Sequence, residues 1–320
     1  MDNYLKSINI KDFKCFKNFE ANGFKRVNLI GGKNNVGKTA FMEACYTNIS
    51  STNIDKMWTV ISSIKFRRNN LEYLGEVFNL DTMKKDFESL AVINISSNLN
   101  ISEFRLLNNN GKKEYKFKIN NKEIIININD FSYNIERDKK IQFIDNFGLT
   151  NSELKDMFEA VQKKDKEEVL YSYINEFDSN IVNFKIIGGD KPQCKVDGEY
   201  RDINEFGDGL KHYISIICSL YACANGYLFI DEIDNGIHWT QLDKIWEIIL
   251  KISKEQNVQL FATTHSKECI ESYGRISKKF EEKDISFIEL GQKNKKIESI
   301  IYESDEVIEQ IYQNQEIRGW

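Results

Sequence analysis

The run Gly32-Lys33-Asn34-Asn35-Val36-Gly37-Lys38-Thr39 has the residue types and the spacing to hold a polyphosphate. It fits the phosphate-binding pattern G-x-x-x-x-G-K-[ST], in which two glycines let the backbone curl close to an anion so that successive N–H groups point at it. A helix starting directly after the second glycine adds its positive end. Lys38 then reaches the β- and γ-phosphates as a point charge, and the Thr39 hydroxyl becomes a ligand for Mg²⁺. Lys33, Asn34, Asn35, Val36 and Ala40 count with the two glycines as the cradle. Taken alone, the run could also be a glycine-rich turn carrying an ordinary surface lysine, so the surrounding chain has to decide.

Val27-Asn28-Leu29-Ile30 reads as a short buried strand, and Ala40 to Asn48 can continue as a helix, which is the strand–loop–helix setting the pattern needs. Such a loop also calls for a distant strand that ends in acids. Tyr227-Leu228-Phe229-Ile230-Asp231-Glu232 supplies one, its apolar part reading as a strand buried on both faces of a parallel sheet. Asp231 would hold Mg²⁺ beside Thr39, and Glu232 would polarise the water that attacks the γ-phosphate. By itself the stretch would be taken for a strand followed by an acidic turn; downstream of the glycine loop the chemical reading is the stronger one.

The elements that must position these groups fit in 320 residues, enough for one large α/β domain or two modest ones, and 41% hydrophobic residues suffice for a sizeable core. Lys plus Arg number 44 against 49 Asp plus Glu, a net charge of −5 that does not pull towards nucleic acid or an anionic membrane and leaves only a local basic patch open. The six cysteines form no C-x-x-C pair and no zinc spacing, so they read as reduced thiols of a cytoplasmic protein. No apolar segment follows a basic start and no apolar run approaches about 20 residues, so neither a signal peptide nor a membrane span is expected.

Along the chain, residues 4–22 read as two strands, and residues 90–146 as an antiparallel meander packed beside the phosphate site, with turns at Asn108 to Gly111 and Asn120 to Lys122. Residues 151–178 switch to helical period in two runs, with Asn151 or Ser152 as the cap. Ile181 to Ile187 and Cys194 to Val196 make a hairpin. Phe206-Gly207-Asp208-Gly209-Leu210-Lys211-His212 is a glycine turn opening an apolar helix, a second place where backbone N–H groups could meet an anion. A helix over 240–254, a buried strand from Val258 into Thr263-Thr264-His265-Ser266, an edge hairpin over 285–302 and a terminal helix complete the chain.

The segment Ile10-Lys11-Asp12-Phe13-Lys14-Cys15-Phe16 ahead of the glycine loop resembles the head domain of ABC-type ATPases of the SMC and OLD-like kind. Four further stretches follow in the order of that family: the glycine loop, the Phe206–His212 turn in the place of the LSGGQ-like signature, the acidic strand continued by Ile233-Asp234-Asn235-Gly236-Ile237-His238, and the strand ending at His265 in the place of the switch histidine. The resemblance implies one P-loop ATPase head domain over 1–320, with a mixed or parallel central sheet flanked by helices, an antiparallel β lobe and a short helical-hairpin insert. Its parts would be 1–50 around the P-loop, 51–150 as the β-rich lobe, 151–200 as the insert, and 201–320 carrying the signature, acidic strand and switch histidine.

In the same way the resemblance implies ATP and Mg²⁺ as cofactors and two subunits sandwiching two ATP molecules, with Gly207, Gly209 and Lys211 acting on the partner's ATP and Asp234 and Asn235 touching the partner. His265 would sense the γ-phosphate, while Lys14 and Phe13 would lie near the adenine or ribose; on the residues alone, Phe13 and Phe16 fit a core equally well, with Lys14 in solvent. His238 reads as structural. The chain departs from the pattern in three ways. Gly207 stands at the signature serine, no glutamine occurs between Thr39 and Gln142 to sense Mg²⁺ (Asn79 and Asp81 being weak substitutes), and the insert is too short for a long coiled-coil arm.

With only about 85 residues beyond Glu232, no Toprim nuclease domain fits, and the expectation is a stand-alone ATPase subunit that forms a dimer or higher oligomer. It would switch a separate effector, such as a nuclease, in bacterial anti-phage defence, and the two departures within the ATP site favour slow hydrolysis. The alternatives are a nucleotide-gated scaffold with little turnover and a DNA-repair ATPase that binds DNA directly.

Overall fold

The structure, a computed structural model, describes residues 4–69, 92–109, 112–127, 130, 138–146 and 148–312. The N-terminal segment folds as a hairpin, β1 (Ser7–Phe13) and β2 (Phe16–Asn22), and leads into β3 (Val27–Gly32), the glycine loop and helix α1 (Lys38–Ser50). Helix α2 (Ile54–Asn69) precedes four antiparallel strands, β4 (Val92–Ser97), β5 (Ile101–Asn109), β6 (Lys112–Ile119) and β7 (Lys122–Asn127), and then β8 (Ile141–Ile144). The insert is the helix pair α3 (Asn151–Gln162) and α4 (Glu167–Phe177) with β9 (Asn183–Ile187), β10 (Lys191–Val196) and β11 (Glu199–Asp202). Helix α5 (Asp208–Ala222), β12 (Tyr227–Ile230), α6 (Leu242–Glu255), β13 (Gln259–Thr263), α7 (Lys267–Lys279), the hairpin β14 (Ile285–Lys293) and β15 (Lys296–Glu303), and α8 (Ser304–Tyr312) follow.

The central sheet has the order β15-β14-β3-β13-β12-β8. β14, β3, β13, β12 and β8 run parallel, and β15 closes one edge antiparallel to β14. Its inner strands β3, β13 and β12 bury both faces, as a parallel sheet must. Val27, Leu29, Leu228, Ile230 and Leu260 point into one core with α5, α6 and α7, while Ile30, Phe229 and Phe261 point into another with α1. Because Ile30 pairs with Thr263, and Ile230 with both Ala262 and Ile144, the carboxyl ends of β3, β13, β12 and β8 finish level along one rim. Ligands of open α/β sheets bind at that rim.

The second sheet, β2-β1-β4-β5-β6-β7, is antiparallel throughout and lays Ile8, Ile10, Ile93, Ile95, Phe104 and Phe117 against the α1 core. The β lobe thus draws in the N-terminal hairpin, and its expected span over 90–146 gives up β8, which joins the central sheet in parallel beside β12. β8 escaped the sequence reading because four residues with Gln142 among them carry too little apolar signal. The insert keeps its helical hairpin, but the cap of α3 is Thr150 rather than Asn151 or Ser152: its side chain accepts from Glu153 N while the Glu153 carboxylate accepts from Thr150 N, a reciprocal capping box. Its β part is a three-stranded sheet, one strand more than the expected hairpin. Asn79, Asp81, the Asn110-Gly111 turn and the side chains of residues 65–69 lie outside the described residues.

Candidate functional site

The glycine loop follows β3 and turns into α1 with Gly32 at φ 144°, Asn35 at φ 62° and Gly37 at φ 96°. Glycine is required at both ends of the loop. A Cβ on Gly32 would lie 2.4 Å from the Leu290 carbonyl oxygen, and one on Gly37 would meet Cys15 Sγ at 2.8 Å. Gly37 is the N-cap of α1 and supplies no side-chain acceptor, and the first turn holds no acid, so the helix start keeps its N–H groups for an anion. Val36 is buried in the core, which leaves only its backbone for a ligand. A cleft of about 770 Å³ opens over this turn, lined by Asn34, Asn35, Gly37, Lys38, Thr39 and Ala40 together with Lys14, Cys15, Glu232 and His265.

Lys38 is nearly buried, and its ammonium donates to the carbonyls of Gly32 at 2.8 Å and Lys33 at 2.9 Å and to His265 Nδ1 at 3.0 Å. Desolvation lowers its pKa to about 8 against the opposing pull of Asp231 and Glu232. Burial, and after it the Lys38 charge, lowers the His265 pKa from its usual value, which favours the neutral ring. With Nδ1 accepting from the ammonium, the imidazole proton sits on Nε2, which faces Glu232 Oε1 at 3.8 Å. The three side chains thus form a row, cation, neutral ring, carboxylate, across the mouth of the cleft.

Beneath them Asp231 Oδ1 accepts from Thr39 Oγ1 at 3.1 Å and from Thr263 Oγ1 at 2.6 Å. Burial raises the Asp231 pKa against those two bonds, with Glu232 and Glu43 adding to the rise. A desolvated carboxylate beside a hydroxyl is a hard-oxygen pair that fits Mg²⁺, the rest of whose octahedron would come from phosphate and water. No cluster of three or more His, Cys, Asp or Glu able to hold a metal occurs among the described residues, so the pair offers a partial shell and not a closed cage. Thr263 also accepts from Glu232 N at 2.8 Å, fixing Glu232 at φ 50°, a left-handed conformation uncommon for a side-chain-bearing residue and often tied to function.

The structure brings Lys38, Thr39, Asp231, Glu232 and His265 together and keeps Gly207, Gly209 and Lys211 out of their cleft. Gly207 caps α5 at φ 83°, is exposed, and has open space where a Cβ would stand. Gly209 has a packing reason of its own: a Cβ there would lie 1.9 Å from the Gly236 carbonyl oxygen. Asp234 and Asn235 are engaged within the chain, with Thr264 Oγ1 and the Asn146 carbonyl. His238 caps a 3₁₀ turn, a structural duty.

Phe13 and Phe16 are core residues, which removes Phe13 from the base or ribose. Strict alternation from Ile8 and Ile10 would turn Phe13 outward; the positive φ of Asp12, 57°, breaks the alternation just before it, and Phe13 ends up buried. Lys14 does line the cleft, but it ion-pairs with the buried Glu43 and lies 5.3 Å from the Phe13 ring centroid. Sequence reasoning missed Cys15, which lines the cleft, and Thr263 and Glu43, which stand behind it beside Asp231. The signals of Thr263 and Glu43 were a hydroxyl ending an apolar strand, and a carboxylate four residues after Thr39 on the same helix face.

Residues 195–271 match the family model described as "AAA domain, putative AbiEii toxin, Type IV TA system". The chain is 26% identical over 332 aligned residues to the "ATP/GTP phosphatase" of Helicobacter pylori, covering 85% of this chain and 88% of that protein. Among solved structures it is similar to an SMC head bound to the C-winged helix domain of ScpA, with a TM-score of 0.54, 10% identity, and coverage of 94% of this chain and 99% of that one. It is similar too to the SMC head with an extended coiled coil bound to the C-terminal domain of ScpA from Pyrococcus furiosus, at TM-score 0.53, 9% identity, and 97% and 99% coverage. The fold is that of the SMC and ABC-type ATPase heads.

Proposed function

We propose that this chain is a Mg²⁺-dependent ATPase that pairs around ATP and uses binding and hydrolysis to switch a separate partner protein. The observation that carries the reading is the convergence of Lys38, Thr39, Asp231, Glu232 and His265 on one cleft at the carboxyl rim of the parallel sheet. The name of the Helicobacter pylori relative, the AAA match and the head fold support nucleotide hydrolysis. The two SMC heads described as bound to ScpA support a partner protein. A role in anti-phage defence rests on the resemblance seen in the sequence. A cytoplasmic setting fits the cysteines and the absence, among the described residues, of any helix long and apolar enough to cross a membrane.

In this reading the N–H groups of the glycine loop and α1 bind the phosphates, and Lys38 leaves the Gly32 and Lys33 carbonyls for the β- and γ-phosphates. His265, freed from Lys38, turns its ring to the γ-phosphate, and Glu232 takes the proton of the attacking water. Bound Mg²⁺, held by Thr39 and Asp231, would neutralise charge on the phosphates. The experiment is ATP binding and turnover by the wild type and by Glu232→Gln. The reading predicts hydrolysis that falls by about 10²–10⁴ in the variant while binding persists. Unchanged turnover would remove Glu232 as the base, and absence of ATP binding in the wild type would end the ATPase reading.

A further inference from the structure

A cavity of about 300 Å³ lies at the amino end of the central sheet, between the last turns of α1, helix α2, the start of β8 and helix α3 of the insert. It shares no lining residue with the phosphate cleft. Its volume is in the range of small-molecule sites, and its wall is mixed, as such walls are. Val60 and Met157 are buried and, with Tyr46, Ile141 and Ala222, form an apolar inner wall. Tyr46 is held there by Phe143 and Phe229, with ring centroids 5.4 and 5.5 Å away. Ser50 is also in the wall, and its buried hydroxyl has no hydrogen-bond partner among the described residues. Buried hydroxyls are as a rule hydrogen-bonded, so this one is available to a guest.

The outer wall carries charges of both signs, and most of them are already matched. Lys56 meets Asp138 at 3.5 Å, Lys163 meets Glu159 at 2.6 Å, and Glu153 is taken up by the capping box of α3. That leaves Lys139 and Asp156, which are exposed, line the same cavity and form no ion pair among the described residues. A simple anion would satisfy the lysine and repel the carboxylate, and a simple cation the reverse. A molecule with one charge of each sign answers both groups, each through a charge-assisted hydrogen bond. The apolar inner wall asks for an apolar body on the same molecule. An α-amino acid with a large apolar or aromatic side chain has this pattern and is small enough for the volume.

We propose that this cavity is a regulatory site for a free α-amino acid with a large apolar or aromatic side chain, its ammonium on Asp156, its carboxylate on Lys139 and its side chain between Tyr46 and Met157. The cavity joins two parts of the molecule. Ser50 ends the helix that Lys38 opens, roughly 18 Å away along its axis. Asp156 and Met157 belong to α3, which packs on α5. A guest held between α1 and α3 therefore bears on the phosphate cleft from one side and on the α5 start at Gly207 to Lys211 from the other. The binding site stands on the cavity alone, while its effect on ATP rests on the ATPase reading above.

The test is calorimetry on the full chain, titrated with L-phenylalanine, L-leucine and L-tryptophan, with phenethylamine, which lacks the carboxylate, and with phenylpropionate, which lacks the ammonium. The proteins are wild type, Lys139→Gln and Asp156→Asn, both at exposed positions outside the core. The amino acid that binds wild type best should be phenylalanine or one of the other two, and phenylalanine should bind at least about tenfold more tightly than either truncated compound. Lys139→Gln should bind phenylalanine and phenethylamine alike, and Asp156→Asn should bind phenylalanine and phenylpropionate alike. The bound amino acid should change the affinity for ATP-Mg²⁺ at least about threefold, and ATP should change the amino-acid affinity by the same factor. No binding of any of the three amino acids, or binding that both variants leave untouched, overturns the site. The expected binding with an ATP affinity that ignores it keeps the site and overturns its regulatory role. The expected binding by a chain that takes up no ATP keeps the site and ends the ATPase reading, and the regulation with it.

Discussion

Two regions of this chain offer backbone donors to an anion, and they differ in how much accompanies them. At the rim of the central sheet, the glycine loop is backed by a desolvated lysine, a metal-ready pair of oxygens, a carboxylate and a neutral histidine within one cleft. At the start of α5, Gly207 supplies no side-chain cap and is exposed, Asp208 puts an acid in the first turn where α1 has none, and Lys211 stands half-buried one turn on, but none of the three lines that cleft. The first region can bind and activate a phosphate within one chain. In the proposed reading the second region completes the site of another copy, so that one chain would carry two unlike halves of a site.

Removing the central element of the first half should have the largest effect. Lys38→Ala deletes the charge that replaces the Gly32 and Lys33 carbonyl bonds with phosphate contacts, and turnover should fall at least about 10³-fold, with ATP affinity, measured calorimetrically, falling alongside it. Lys211→Glu should cut turnover by about 10²-fold while leaving ATP affinity of the isolated chain unchanged, because Lys211 lies outside its own cleft. Equal losses of affinity in both variants would erase the distinction between the halves.

The acid–base state of the first half gives a smaller effect. Desolvation places the Lys38 pKa at about 8, and bound phosphates favour the ammonium. Below pH 8 the lysine is already charged and ATP affinity should be flat. Above it, binding must take up a proton and affinity should fall by up to about tenfold per pH unit, a slope that Lys38→Ala abolishes.

The smallest effect is a protection. Cys15 is exposed at the cleft and its sulfur lies against Gly37, while the other five cysteines are buried, with burial pushing their thiols up. A thiol reagent should label Cys15 first, and ATP-Mg²⁺ should slow that labelling severalfold. Labelling at an unchanged rate under saturating ATP would place the nucleotide elsewhere.

Much of the first half was legible because its residues announce themselves by spacing. Glycines at a fixed interval before Lys38-Thr39, and apolar runs that end in Asp231-Glu232 or Thr263-Thr264-His265, follow from the needs of a backbone cradle and of strands buried on both faces. What escaped depends on which strands meet. β8 reads as part of a meander until its register beside β12 is known, and Phe13 could be assigned to a ligand because nothing in a short strand tells which face is inward. Glu43 and Thr263 act through hydrogen bonds and an ion pair made across the fold.

The most direct measurement mixes the two halves. Lys38→Ala and Lys211→Glu, each inactive alone, are combined in equal amounts, heterodimer formation is verified by mass, and ATP turnover is followed. In a mixed dimer one site receives its loop from one chain and its α5 start from the other, both intact, so turnover should return to about a quarter of the wild-type rate. If heterodimers form and turnover stays at the level of the separate variants, the α5 start does not complete a neighbour's site, and the division into two halves is wrong.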